Sequence, residues 1–138
     1  MIIVDSGALI AAGHPGDANH ARAVGVLRAA TDSGERLLAP EPMLGELFGW
    51  FRRRDLSDRA RRLWGLILRG AFEPTAMGAD GVALAFDIDR RYADADLGFV
   101  DACLLATCER ERCARLFTFD ARLAAYKPTF ARSLQILP

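Results

Sequence analysis

Residues 2–13, IIVDSGALIAAG, decide the fold. Ile2, Ile3 and Val4 are β-branched and apolar, and they read as a short buried strand. Asp5 ends that strand, and the small residues from Ser6 to Gly13 turn the chain directly into a helix. Residues 115–120, RLFTFD, repeat the arrangement, an apolar strand that ends on Asp120. In α/β sheets, ligands bind outside the carboxyl ends of the strands, so two acids from different strands can meet at one edge.

The rest of the chain alternates in the same way. PGDANHARAVGVLRAATDSG, residues 15–34, predicts a helix with Ala23, Val26, Leu27 and Ala30 inward and Gly34 as its stop. RLLAP, residues 36–40, is a second strand ended by Pro40. PMLGELFGWFRRR, residues 42–54, has Leu44, Leu47, Phe48 and Phe51 on one face and Met43, Glu46 and Trp50 on another. A helix apolar almost all round is expected to be buried. Ser57 is expected to cap the next helix, with Ala60, Leu63, Trp64, Ile67 and Leu68 inward. AFEPTAM, residues 71–77, is an irregular or short strand-like piece, and residues 79–92 form a helix with Val82, Ala85 and Phe86 inward. FVDACLLATCERE, residues 99–111, is a buried helix charged only at its end. Residues 121–126 make a helical turn broken by Pro128, and SLQIL, residues 133–137, is a last strand. The alternation implies an α/β domain whose parallel sheet is covered on both faces. No repeat or linker interrupts it, so residues 1–138 are read as one domain.

The composition, 51% apolar and 26% charged, suits a soluble globular protein with a real core. A formal net charge of zero gives no whole-protein field toward a polyanion. The basic side is arginine except for Lys127, and arginine suits bidentate contacts to phosphate or carboxylate. Cys103, Cys108 and Cys113 are spaced by five, which turns each about 140° from the last on a helix, so they do not converge as ligands. They read as reduced thiols in a cytoplasmic protein, with Cys103 and Cys108 in the core. The start MIIVD meets an acid with no basic stretch before it, so no signal peptide is expected. No apolar run approaches the roughly 20 residues of a membrane span.

Four carboxylates, Asp5, Glu46, Asp101 and Asp120, lie within or at the edge of apolar segments. A carboxylate among apolar neighbours is costly unless something pairs with it. With no matching set of lysines or histidines, a shared hard divalent cation is the natural candidate. Mg²⁺ and Mn²⁺ accept such oxygen ligands, a few directly and others through bound water. Each acid also has a plainer reading. Asp5 could cap the following helix, Glu46 could pair with Arg52–Arg54, Asp101 could serve the dipole of its helix, and Asp120 could be a turn acid. Asp94 and Asp96 read first as a solvated loop, with Asp96 the better outer-shell candidate. Thr118 points to the same side of an extended chain as Asp120, where its hydroxyl could hold a water or a carboxylate. Ser6 stands in the same position. Glu41 reads as a helix-start acid, and Glu109 and Glu111 as a solvated helix end.

The segments IIVDSGALIA, LLAPEPMLGELFGWFRRR, DLGFVDACLLATCERE and LFTFDARL together resemble a PIN-domain ribonuclease, specifically the VapC-type toxin of a toxin–antitoxin pair. They span nearly the whole chain in the family's order. The resemblance implies a three-layer α/β/α sandwich around a central, mostly parallel sheet. It implies a metal-dependent endoribonuclease using Mg²⁺ or Mn²⁺, with the family's acids falling on Asp5, Glu46, Asp101 and Asp120. Asp5 and Asp101 match the positions most often assigned as direct metal ligands. The implied reaction is hydrolysis leaving 5′-phosphate and 3′-hydroxyl ends. The implied partners are an RNA substrate, an antitoxin that inserts into the active-site groove, and a second copy in a homodimer. His14 and His20 lie together in a polar region and do not suggest a metal-free cyclising ribonuclease.

Other classes fit less well. A receiver domain needs a placed lysine, and Lys127 lies in a proline-flanked loop. A haloacid-dehalogenase-type phosphatase needs a second aspartate two residues after the first, where this chain has Gly7. A PIN-like module that binds RNA or protein without cutting is the remaining alternative. Arg52–Arg54 with Arg59, Arg61 and Arg62 could face RNA phosphates, an acidic partner or solvent. Phe48, Trp50, Phe51 and Trp64 are core by composition, although some could form a groove for an antitoxin helix or a dimer seam.

Overall fold

Five short strands, β1 (Ile2–Val4), β2 (Leu37–Pro40), β3 (Glu73–Thr75), β4 (Arg115–Phe117) and β5 (Gln135–Leu137), form one parallel sheet in the order β3-β2-β1-β4-β5. The computed structural model describes all residues, 1–138. Six helices cover the sheet: α1 (Ser6–Gly13), α2 (His20–Asp32), α3 (Glu41–Arg52), α4 (Ser57–Leu68), α5 (Gly78–Arg91) and α6 (Phe99–Arg110). The expected three-layer α/β/α arrangement is what the chain adopts.

The pleat sends neighbouring strand residues to opposite layers. Ile3, Leu38 and Leu116 pack with α5 and α6, while Ile2, Val4, Leu37 and Phe117 pack with α1, α2 and α4. Both faces of these strands are therefore buried, which is why they read as continuous apolar runs. Helix α6 is the most enclosed helix, buried without a break from Ala102 to Cys108. It crosses α5 closely: a Cβ on Gly81 would meet Arg110 Nη1 at 2.6 Å and Met77 Cε at 3.1 Å. All three cysteines are free and buried.

Several helices bury less than the sequence suggests. Helix α3 buries one stripe, Met43, Leu47 and Phe51, while Leu44, Phe48 and Trp50 are half-covered and Glu46 is exposed. It lies at the join of the two layers, sending Met43 into one core and Leu47 and Phe51 into the other. Helix α4 buries only Ala60 and Leu63; Trp64 is 54% and Leu68 80% exposed. Ser57 is the first helical residue rather than the cap, and Leu56 occupies the cap position without a side-chain bond. Helix α5 turns Gly81, Ala85 and Ile88 inward, leaving Val82 and Phe86 outside. Helix α2 begins at His20, because residues 14–19 are spent on turns.

The order in which strands are added reverses about β1. From β1 the chain winds outward through β2 to β3, and the later strands β4 and β5 lie on the other side. The switch point of the sheet thus falls between β1 and β4, where a crevice opens beyond the carboxyl ends. Asp5 and Thr118 are the residues that leave these two strands there.

Candidate active site at the switch point

Asp5 is 8% exposed and is the centre of the site. Its Oδ2 accepts a hydrogen bond from the Thr118 hydroxyl at 2.6 Å, across the β1–β4 gap. Its Oδ1 accepts from the Gly7 N–H at 3.3 Å, which makes Asp5 the N-cap of α1 as well. No arginine, lysine or histidine pairs with it. Burial pushes its carboxyl above the usual aspartate range, against the pull of bonds from Thr118, Gly7 and Ser6. The nearby negative charge of Asp101 pushes it further up. The capping reading holds, and it leaves acceptor positions of the carboxylate open, because a cap needs few of them.

Two hydroxyls connect Asp5 to the other acids. Ser6 Oγ donates to Glu46 Oε2 and lies 3.3 Å from Asp5 Oδ1. Glu46 reaches the site from the exposed side of α3 and pairs with none of Arg52–Arg54. Thr118 Oγ1 accepts the Asp120 N–H at 3.0 Å while donating to Asp5. Its hydroxyl holds a carboxylate on one side and fixes the following turn on the other, so β-propensity alone does not account for it.

Asp101 stands at the third position of α6, where its Oδ2 accepts the Gly98 N–H at 3.2 Å. Asp120 caps the 3₁₀ turn of residues 121–125, accepting the Arg122 N–H at 2.9 Å. Arg122 also grips the Asp120 carboxylate through its side chain, and this holds that carboxyl below the usual aspartate range. The same guanidinium lies 3.6 Å from Asp101 Oδ2. Arg122 was not singled out in the sequence, and its spacing of two from Asp120 on a 3₁₀ turn was the available signal. Asp96 takes a left-handed conformation, φ 48°, and joins the site through its backbone carbonyl, 3.3 Å from Arg122 Nη1. Asp94 is exposed, in the 3₁₀ turn of residues 93–95 rather than in a loop.

The donors around Asp5 are oxygens, as a hard cation requires. No three Asp, Glu, His or Cys side chains converge closely enough to hold an ion by themselves. Mg²⁺ and Mn²⁺ do not need three, since they retain several waters and use one or two carboxylates. A buried carboxylate without a cationic partner, with a second carboxylate near enough to raise it, fits that demand.

The arginine groups lie elsewhere. Arg52 ends α3, roughly 9 Å along the helix axis beyond Glu46, and Arg53 and Arg54 follow it. Arg59 and Arg62 instead border a cavity of about 570 Å³ between α1, α2 and α4, lined by Leu9, Leu27, Leu63 and Leu66. Arg22 of α2 lies 5.4 Å over the ring of Phe119, the residue between Thr118 and Asp120. Glu109 is not a solvated helix end: it accepts the Tyr126 hydroxyl at 2.7 Å and both the N–H and hydroxyl of Thr129 at 2.8 and 2.6 Å. His14 ends α1 and His20 starts α2, away from the acids, with His20 Nδ1 2.8 Å from the Ala11 carbonyl.

No helix is long and apolar enough to cross a membrane. No curated protein matches the chain. Among solved structures, the crystal structure of Mycobacterium tuberculosis VapC20, a sarcin-ricin loop cleaving toxin, superimposes with a TM-score of 0.80 at 23% identity. The similarity covers 96% of this chain and 99% of that one, and it establishes the shared fold. The PIN domain pattern matches residues 2–127, a span that contains Asp5, Glu46, Asp101 and Asp120 together with the strands and helices that carry them. The chain belongs to the PIN domain family.

Proposed function

We propose that this chain is a metal-dependent endoribonuclease, the cytoplasmic toxin of a toxin–antitoxin pair, and that Asp5, Asp101, Glu46 and Asp120 form its active site. The observation that carries the reading is Asp5: a buried carboxylate at the sheet's switch point, held by Thr118 and facing a second acid, without a protein cation to neutralise it. Asp5 and Asp101 are the candidate direct ligands of Mg²⁺ or Mn²⁺. Glu46, through Ser6, and Asp120, beside Thr118, are placed to act through water. A bound divalent cation supplies an acidified water and neutralises charge on the scissile phosphate. The chain's own groups do the positioning. Thr118 fixes the Asp5 carboxylate, the Gly98 N–H fixes Asp101, and Ser6 holds Glu46 at the mouth.

RNA is the proposed substrate, and the family neighbour's target makes RNA containing a sarcin-ricin loop the first to try. The antitoxin is proposed to lay an amphipathic segment in the cavity between α1, α2 and α4. That cavity offers an apolar floor bordered by Arg28, Arg59 and Arg62, which suits a partner with acidic flanks. A homodimer is proposed through the uncovered face of α5, where Val82 and Phe86 are exposed.

The experiment is cleavage of total RNA and of a sarcin-ricin loop oligonucleotide by the purified chain, with Mg²⁺ or Mn²⁺, with EDTA, and beside Asp101→Asn. Discrete fragments bearing 5′-phosphates that vanish with EDTA and in the variant are expected. Full activity of the folded Asp101→Asn chain would sink the assignment. A folded chain that neither cuts nor binds metal would instead be the non-catalytic module.

A further inference from the structure

The guanidinium of Arg122 already occupies the acid cluster. Its Nε lies 3.1 and 3.0 Å from the two oxygens of Asp120, and Nη2 lies 2.6 Å from Oδ2 of Asp120 and 3.6 Å from Oδ2 of Asp101. No other cationic side chain pairs with any of the four acids. Its tether is tight, because the Arg122 N–H is itself bonded to Asp120 Oδ1 at 2.9 Å. Its head is loose: the side chain is 54% exposed, and its one further contact is to the Asp96 carbonyl at 3.3 Å.

We propose that Arg122 is a built-in counter-ion that competes with the divalent cation for Asp101 and Asp120. The inference rests on the metal reading above. A carboxylate gripped by a guanidinium fork has its lone pairs directed to N–H groups, and a second positive charge at the same oxygens is repelled. Asp120 is committed in this way on both oxygens, whereas Asp5 is free of any cation. A cation held by Asp5 and Asp101 therefore meets the guanidinium's charge beside Asp101 Oδ2, and the exposed head can swing off without disturbing the core. Arg122 compensates the cluster's charge before loading and raises the cation concentration at which loading occurs.

The test is calorimetric titration of the full chain with Mn²⁺ alone, in the absence of RNA. Wild type is compared with Arg122→Ala, Arg122→Lys and Arg22→Ala, each first verified as folded by circular dichroism and melting. Arg122→Ala is expected to bind Mn²⁺ about two- to fivefold more tightly, as loss of an exposed competing pair implies. Arg122→Lys falls between it and wild type, and the gap narrows at high salt. Arg22→Ala removes the same charge beside the site without touching the acids, and it stays within about twofold of wild type. Should the alanine variant not fold, Arg122→Gln gives the same comparison with the side-chain length kept. Unchanged or weaker binding in Arg122→Ala or Arg122→Gln overturns the proposal, as does equal tightening in Arg22→Ala, which would reduce the effect to net charge. A folded wild type that binds no Mn²⁺ overturns the metal reading and this inference with it.

Discussion

At the scale of single residues, the site turns on the cost of keeping Asp5 ionised while buried. Its folded-state carboxyl lies above the ordinary value of 3.8 because of burial, so protonation favours the native state. That contribution is fully present below about pH 3.8 and is lost as pH rises through the folded value. Asp5→Asn removes the buried charge, so its Tm relative to wild type is expected to be higher at pH 7 than at pH 3.5, while cleavage is abolished. Calorimetry of both proteins at the two pH values checks this. Thr118→Val is expected to cost about 1–3 kcal/mol, because it strips a donor from buried Asp5 and an acceptor from the Asp120 N–H. Thr118→Ser should restore most of the stability and activity. Asp5, Glu46, Asp101 and Asp120 were conspicuous in the sequence, as acids among apolar residues. Arg122 was not, because an exposed arginine gains meaning only from the acid that a 3₁₀ turn brings beside it.

At the scale of elements, the strands were easier to read than the helix faces. IIV, LLAP and RLF are buried on both sides, so an apolar run marks them without any question of phase. Helix α5 shows the difficulty, because its sequence offers Val82 and Phe86 as readily as Ala85 and Ile88. The close crossing with α6 needs small residues at the contact, so Gly81 and Ala85 face inward and the larger side chains are left out. Ile88→Ala is expected to destabilise by about 2–5 kcal/mol, as a fully buried side chain does. Phe86→Ser, at a position 61% exposed, should stay within about 0.5 kcal/mol. Denaturant melts of the two variants, at a concentration where the chain is monomeric, decide the phase of the helix. Glu109 makes the same point at the end of α6. A charged helix end reads as solvated until the segment carrying Tyr126 and Thr129 returns to it, and that return is not encoded locally. Glu109→Gln should loosen residues 126–130 and show as faster amide exchange at Thr129.

At the scale of the whole molecule, the same parallel sheet that gathers the acids leaves a second feature lined by none of them, the cavity between α1, α2 and α4. Leu66 lines it at a partly exposed position, so Leu66→Asp is expected to leave RNA cleavage and folding intact. It should weaken antitoxin binding about tenfold or more in a titration against the cognate protein. The alternation of strands and helices made the three layers legible, but a groove between helices depends on side-chain size at each crossing and was not. The clasp between Asp5 and Thr118 joins residues 113 positions apart in the chain. A growing polypeptide therefore carries Asp5 through 113 further residues before it acquires the hydroxyl that fixes it. A product that stops short of β4 lacks the finished centre, so the proposed cleavage of RNA is expected only once the chain has been synthesised through Thr118.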